Sequence, residues 1–209
     1  MFALALAPLA LLVLGALGVA GVRLGANPVQ AITDTLGVWG LRLLLATLAL
    51  TPLRYLTRSA EWLRFRRMLG LFAFFYATLH FAMYVVIDRR LDWSTLGEDL
   101  MKRPWITLGF LGFVLLVPLA ATSTRAAMRR LGRGWQRLHY LVYPATVLGC
   151  WHFYWQVKRD VREPLAYAGV LALLLAVRLA KRWRRAASYI EVRADQSSGK
   201  NRSSSAFAR

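Results

Sequence analysis

Runs of about 17–22 apolar residues, the length a helix needs to cross a hydrocarbon core of ~30 Å, alternate along the chain with short basic blocks. Six such runs are read as spans, at about residues 2–22, 37–53, 68–87, 104–122, 138–156 and 164–180. The pattern predicts an all-α membrane protein, a six-transmembrane helix bundle over residues 1–187. Residues 188–209 are polar, end in SSGKNRSSSAFAR, and have the composition of a disordered tail. The first run has no basic stretch before it and is longer than the apolar part of a signal peptide, so it is read as a retained helix. No internal repeat is apparent, and no glycine-rich phosphate loop follows a strand.

Basic residues separate the two sides of the membrane. Eighteen of the 28 lysines and arginines fall in 54–67, 125–137 and 181–209, on one side of the predicted bundle. Eight fall at Arg23 and within 89–103 and 158–162, on the other, where acids dilute them. The positive-inside rule places the first set in the cytoplasm. Both termini are then cytoplasmic, as an even number of spans requires.

Composition narrows the chemistry. The hydrophobic fraction is 57% and the net charge +18. The charge follows topology and meets anionic lipid headgroups of the bilayer, so it implies no nucleic acid. The single cysteine, Cys150, lies in an apolar run and reads as a small buried hydrophobe; it can form neither an intrachain disulfide nor a cysteine-based metal site. The stretch after the sixth span is too short for a flavin or nicotinamide domain.

All three histidines lie in spans or at their mouths: His80 in the third, His139 at the start of the fifth, His152 in its outer half. Ionisable residues inside a membrane are costly and usually functional, and neutral imidazole is the commonest side-chain metal ligand. Haem suits the set, because it takes one or two axial ligands and sits readily in bundle cores. Aromatic residues around the histidines, Phe72, Phe74, Phe75, Tyr76, Phe81, Tyr140, Tyr143, Trp151, Phe153, Tyr154 and Trp155, are candidates for its packing. Many of them equally suit ordinary core or interfacial positions.

Depth sorts the ligands. At 1.5 Å per residue, His80 lies ~20 Å above Arg67 and His152 ~22 Å above Arg137. The two therefore stand at matching heights on parallel helices, and one haem iron on the outer side can take both. His139 lies ~20 Å lower, suited to an inner haem, whose second ligand is unknown. At that height the third span offers Arg66 and Arg67, which suit haem propionates better than iron. On an ideal helix His139 and His152 point about 140° apart; Pro144 and Gly149, between them, are places for a kink.

The segments GANPVQAIT (25–33), LLLATLALTPLR (43–54), RRMLGLFAFFYATLH (66–80), KRPWITLG (102–109), TSTRAAMRRLGRGWQRLHYLVY (122–143) and WHFYWQVK (151–158) carry a resemblance. Together they resemble the MsrQ (YedZ) family of haem-binding membrane subunits of the bacterial methionine sulfoxide reductase system, in the ferric-reductase-like transmembrane superfamily. The resemblance implies a multi-pass protein of the bacterial inner membrane with haem b, one or two copies, at His80, His139 and His152. It implies electron transfer to a periplasmic molybdenum-cofactor reductase, MsrP, for repair of oxidised periplasmic proteins. FMN is associated with the family, as is a donor that is either a cytoplasmic flavin reductase or membrane quinol. The superfamily's second histidine pair is incomplete here, since the third span has no inner histidine.

No catalytic acid–base pair or nucleophile is evident, so the chain is expected to be an electron-transfer subunit whose partner reduces the substrate. Two alternatives stay open. One is a ferric or quinone reductase acting directly on a small molecule; the other is a membrane transporter using the histidines as a proton or metal relay.

Overall fold

The computed structural model describes residues 2–19, 25–157 and 160–206, with side chains described as far as residue 184. Among these residues the chain is helical and contains no strand. The helices are α1 (Phe2–Ala16), α2 (Pro28–Thr57), α3 (Trp62–Ala82), α4 (Trp93–Lys102), α5 (Pro104–Ala121), α6 (Arg125–Leu131), α7 (Arg133–His139), α8 (Val142–Gln156) and α9 (Arg162–Ala206). A π-helical turn, Met83–Asp88, extends α3. Residues 20–22 of the first expected span, the basic residues Arg23, Lys158 and Arg159, and residues 207–209 of the expected tail lie outside the described residues.

The chain divides into two compact units, Met1–Leu171 and Ala172–Arg209. The second unit is the remainder of α9, helical to Ala206 through a segment whose composition favours disorder.

Four helices are long and apolar enough to cross a membrane: Pro28–Thr57, Trp62–Asp88, Pro104–Ala121 and Arg162–Arg184. This makes the chain a multi-pass membrane protein. Helices α1 and α8 have 15 residues each, about 22 Å at 1.5 Å per residue. α2 is the central helix, burying Leu36, Leu41, Leu44, Leu48 and other leucines. It starts with the side chain of Asn27 accepting from the Gln30 N–H, and with Pro28 in its first turn, where the missing N–H costs nothing.

The fifth expected span is not one helix. It breaks at Tyr140–Leu141, between α7 and α8. Pro144 has no N–H to donate to Tyr140, so the chain tightens into three-residue turns: the Leu141 N–H bonds Leu138 and the Tyr143 N–H bonds Tyr140. His139 and His152 therefore sit on separate helices, and the 140° argument for one ideal helix does not apply.

α2 packs along α3, and α5 along α8. The two pairs are built alike, which corrects the expectation of no repeat. At Gly40 the helices come close enough that an added Cβ would lie 3.5–3.7 Å from Ala77, Ala73 and Tyr76. At Gly112 it would lie 3.5–3.9 Å from Ala145, Leu148 and Gly149. Each residue of the second set follows its counterpart by the same interval, 72 positions (112 − 40, 145 − 73, 149 − 77). Small residues let the two backbones of each pair approach, as is common between membrane helices.

Candidate functional site

The interval recurs at the histidines. His80 on α3 places Nδ1 2.8 Å from the Thr33 carbonyl oxygen on α2. His152 on α8 places Nδ1 2.8 Å from the Trp105 carbonyl oxygen on α5. A carbonyl only accepts, so both rings carry their proton on Nδ1 and leave Nε2 as a lone-pair donor. Neither Nε2 has a hydrogen-bond partner among the described residues.

A glycine stands against each ring. A Cβ on Gly37 would lie 3.0 Å from His80 Nδ1, and one on Gly109 would lie 2.9 Å from His152 Nδ1. Thr33, Gly37 and His80 thus correspond to Trp105, Gly109 and His152. The rings come together at 6.1 Å between centroids, inclined by 74°.

Both rings line a cavity of about 600 Å³, within the size range of cofactor sites. Its deep wall is apolar and includes Leu44, Phe81, Phe110, Phe113 and Leu116. Phe81 stacks on Phe113 at 5.0 Å. At its other end Asp34, Asp88, Arg89, Arg103 and Glu163 contribute charge. Glu163 pairs with Arg42 at 3.4 Å, and the Arg42 guanidinium also donates to Tyr167 and lies over the Trp39 ring.

These residues fit a haem. Two metal–imidazole bonds of about 2 Å each separate the ligating nitrogens by about 4 Å, and a ring radius on each side brings the ring centres to the observed spacing. The Nδ1 tethers fix tautomer and orientation in the way common to ligating histidines. His80 and His152 are the residues that would hold the iron, and the group would supply one-electron redox chemistry.

The expected aromatic lining is only partly there. Of the candidates, Phe81 and Phe153 line the cavity. Tyr76 is fully buried against α1, Phe72 packs on Phe2, and Phe75, Tyr140, Trp151, Tyr154 and Trp155 are exposed. Phe110 and Phe113 replace them, from a helix without histidine. The glycines were also missed as ring neighbours. Their signal was in the sequence: TLG-x-x-G occurs at 35–40 and at 107–112, and His-Phe at 80–81 and at 152–153.

His139 is not part of this cavity. It ends α7, stacked on Trp135 at 3.8 Å, with Nδ1 3.1 Å from the Trp135 carbonyl oxygen of its own helix. The position 72 residues before it is Arg67, whose guanidinium reaches the Met128 sulfur at 3.6 Å. Neither Arg66 nor Arg67 lines the cavity.

A multi-pass helical bundle with a paired-histidine cavity defines a class, and comparison with known proteins names it. Residues 36–150 match the family model for the ferric reductase like transmembrane component. The chain is 57% identical over 159 residues to the protein-methionine-sulfoxide reductase heme-binding subunit MsrQ of Xanthomonas axonopodis pv. citri, covering 76% of this chain and 73% of that one. It is 54% identical over 166 residues to the protein of the same name from Rhodospirillum rubrum, covering 79% and 80%. The chain belongs to the MsrQ family of the ferric-reductase-like superfamily.

Proposed function

We propose that the chain is a haem b subunit that carries electrons across the bacterial inner membrane. His80 and His152 hold the haem iron on the outer side. The observation that carries this is the pair of matched imidazoles, each fixed through Nδ1 to a carbonyl of the neighbouring helix and each with a free Nε2 in one cavity. The relatives' name, heme-binding subunit of a protein-methionine-sulfoxide reductase, supports the same reading.

The acceptor in this reading is a periplasmic molybdenum-cofactor reductase, MsrP, which reduces methionine sulfoxide. The donor is a cytoplasmic flavin reductase or membrane quinol, with FMN as a further carrier. His139 serves an inner site near the cytoplasmic face. Six spans, with α1 and α8 completing the four long ones, put both termini in the cytoplasm. The chain's own residues orient the ligands and exclude water; the substrate is reduced by the partner.

The test is a reduced-minus-oxidised visible spectrum with haem quantified per chain, for the wild type and for His80→Ala, His139→Ala and His152→Ala. The expected result is loss of the same haem in the His80 and His152 variants. Retention of that haem in either variant would sink the assignment.

A further inference from the structure

The outer end of the cavity holds a charged cluster that the histidine site does not use. Asp99, on α4, is 5% exposed. Its carboxylate accepts from the Tyr84 hydroxyl at 2.5 Å and forms ion pairs with Arg89, whose Nε is 2.6 Å away, and Arg103, whose Nε is 3.1 Å away; the Arg89 Nε–H donates to the Tyr84 hydroxyl at 3.3 Å. One buried carboxylate thus holds two guanidinium groups by their Nε edges. Arg89 is further fixed over the Tyr84 ring, at 5.3 Å.

Arg89 and Arg103 both line the cavity, whereas Asp99 does not. Of the other carboxylates on the cavity wall, Asp34 takes the Gln30 amide at 2.7 Å, Glu163 pairs with Arg42, and Asp88 lies near enough to Arg89 to act on its charge. Asp88 precedes Arg89 in the chain. Two guanidinium groups held by one buried carboxylate therefore stand on one wall, at the polar end of a cavity whose deep end is aromatic. A flat, largely apolar ligand with carboxylates on one edge matches that polarity, and guanidinium pairs with carboxylate bidentately.

We infer that Arg89 and Arg103, held by Asp99, form the anchor for the two propionates of the haem, and so set which edge of the porphyrin faces outward. This rests on the haem reading above. It concerns the outer haem; Arg66 and Arg67, expected from the sequence to meet the propionates of an inner haem, do not line this cavity. Asp99 and Tyr84 act through the arginines and are positioning residues.

The test is reconstitution of the haem-depleted full chain with iron protoporphyrin IX and, separately, with its dimethyl ester, which keeps the iron and loses both carboxylates. The wild type is expected to bind the free acid about tenfold or more tighter than the ester, the scale of one strong charge-assisted hydrogen bond. The triple variant Arg89→Gln, Arg103→Gln, Asp99→Asn removes the anchor without stranding a buried carboxylate. It is expected to bind both forms alike, with an unchanged bis-imidazole spectrum and a lower midpoint potential. The single variants Arg89→Lys and Arg103→Lys keep the charge and should keep part of the preference. If the triple variant does not fold, the wild-type preference decides alone. Equal wild-type affinity for the two forms, or a preference that survives the triple variant, would overturn the anchor and leave the haem site standing. Binding of neither form would overturn the haem reading and the anchor with it.

Discussion

The α-carbon of Gly109 faces the imidazole of His152 so closely that a methyl group there would lie 2.9 Å from Nδ1 and 3.0 Å from Cε1. The same nitrogen is tethered to the Trp105 carbonyl one turn earlier on α5, so a ring that yields to the methyl loses that tether. Gly109→Ala is expected to push the ring off its tether at a cost of about 1–3 kcal/mol, the range for overpacking. The visible result is less haem per chain and an altered reduced spectrum, with Gly37→Ala acting in the same way on His80. Full haem content and an unchanged spectrum in both variants would show that the glycines do not set ring position.

Tyr76 holds α1 to the bundle by an unusual arrangement. Its hydroxyl donates to the Ala5 carbonyl at 2.8 Å and accepts from the Leu9 N–H at 3.2 Å. These two groups are partners in a regular helix, and Pro8, between them, has no N–H for the Leu4 carbonyl. Tyr76→Phe removes both bonds between α3 and α1 and is expected to cost about 0.5–1.5 kcal/mol. Thermal unfolding in detergent checks this. The haem spectrum should not change, because Tyr76 is absent from the cavity wall.

The start of α4 is expected to be sensitive to acid. Asp92 accepts from the Ser94 and Thr95 hydroxyls and from both their N–H groups. These bonds hold its carboxyl down at about 2, from an ordinary 3.8. A depressed value means that the cap contributes fully above the unfolded value and is lost as pH falls from about 3.8 through about 2. Protection of the Ser94 and Thr95 amides, measured as exchange relative to the unfolded-chain rate at each pH, should fall over that interval, and Asp92→Ala should abolish the step. A flat profile in the wild type would refute the cap's role.

Much of the architecture was legible before the fold. The long spans follow from hydropathy alone, because a bilayer imposes a length on every helix that crosses it. The match between His80 and His152 followed from counting residues up from Arg67 and Arg137. Two kinds of feature were not read. The break at Tyr140–Leu141 depends on one missing N–H at Pro144, and hydropathy does not register a hydrogen bond. The wall of the cavity depends on which face each helix turns inward: Phe110 and Phe113 come from α5, a helix with no chemical marker to draw attention to it. The matched glycines were visible as a repeated hexapeptide, but without the facing rings they read as ordinary helix contacts.

Because His80 belongs to the α2–α3 hairpin and His152 to the α5–α8 hairpin, the ligands are made at different times. At about 5–20 residues per second of synthesis, the 72 residues between them correspond to a delay of several seconds. During that delay one half of the site is in the bilayer with its imidazole already tethered and nothing opposite it. On the proposed reading a haem held by both imidazoles is bound only once the second hairpin is in place, so loading the site would report that the bundle has been completed.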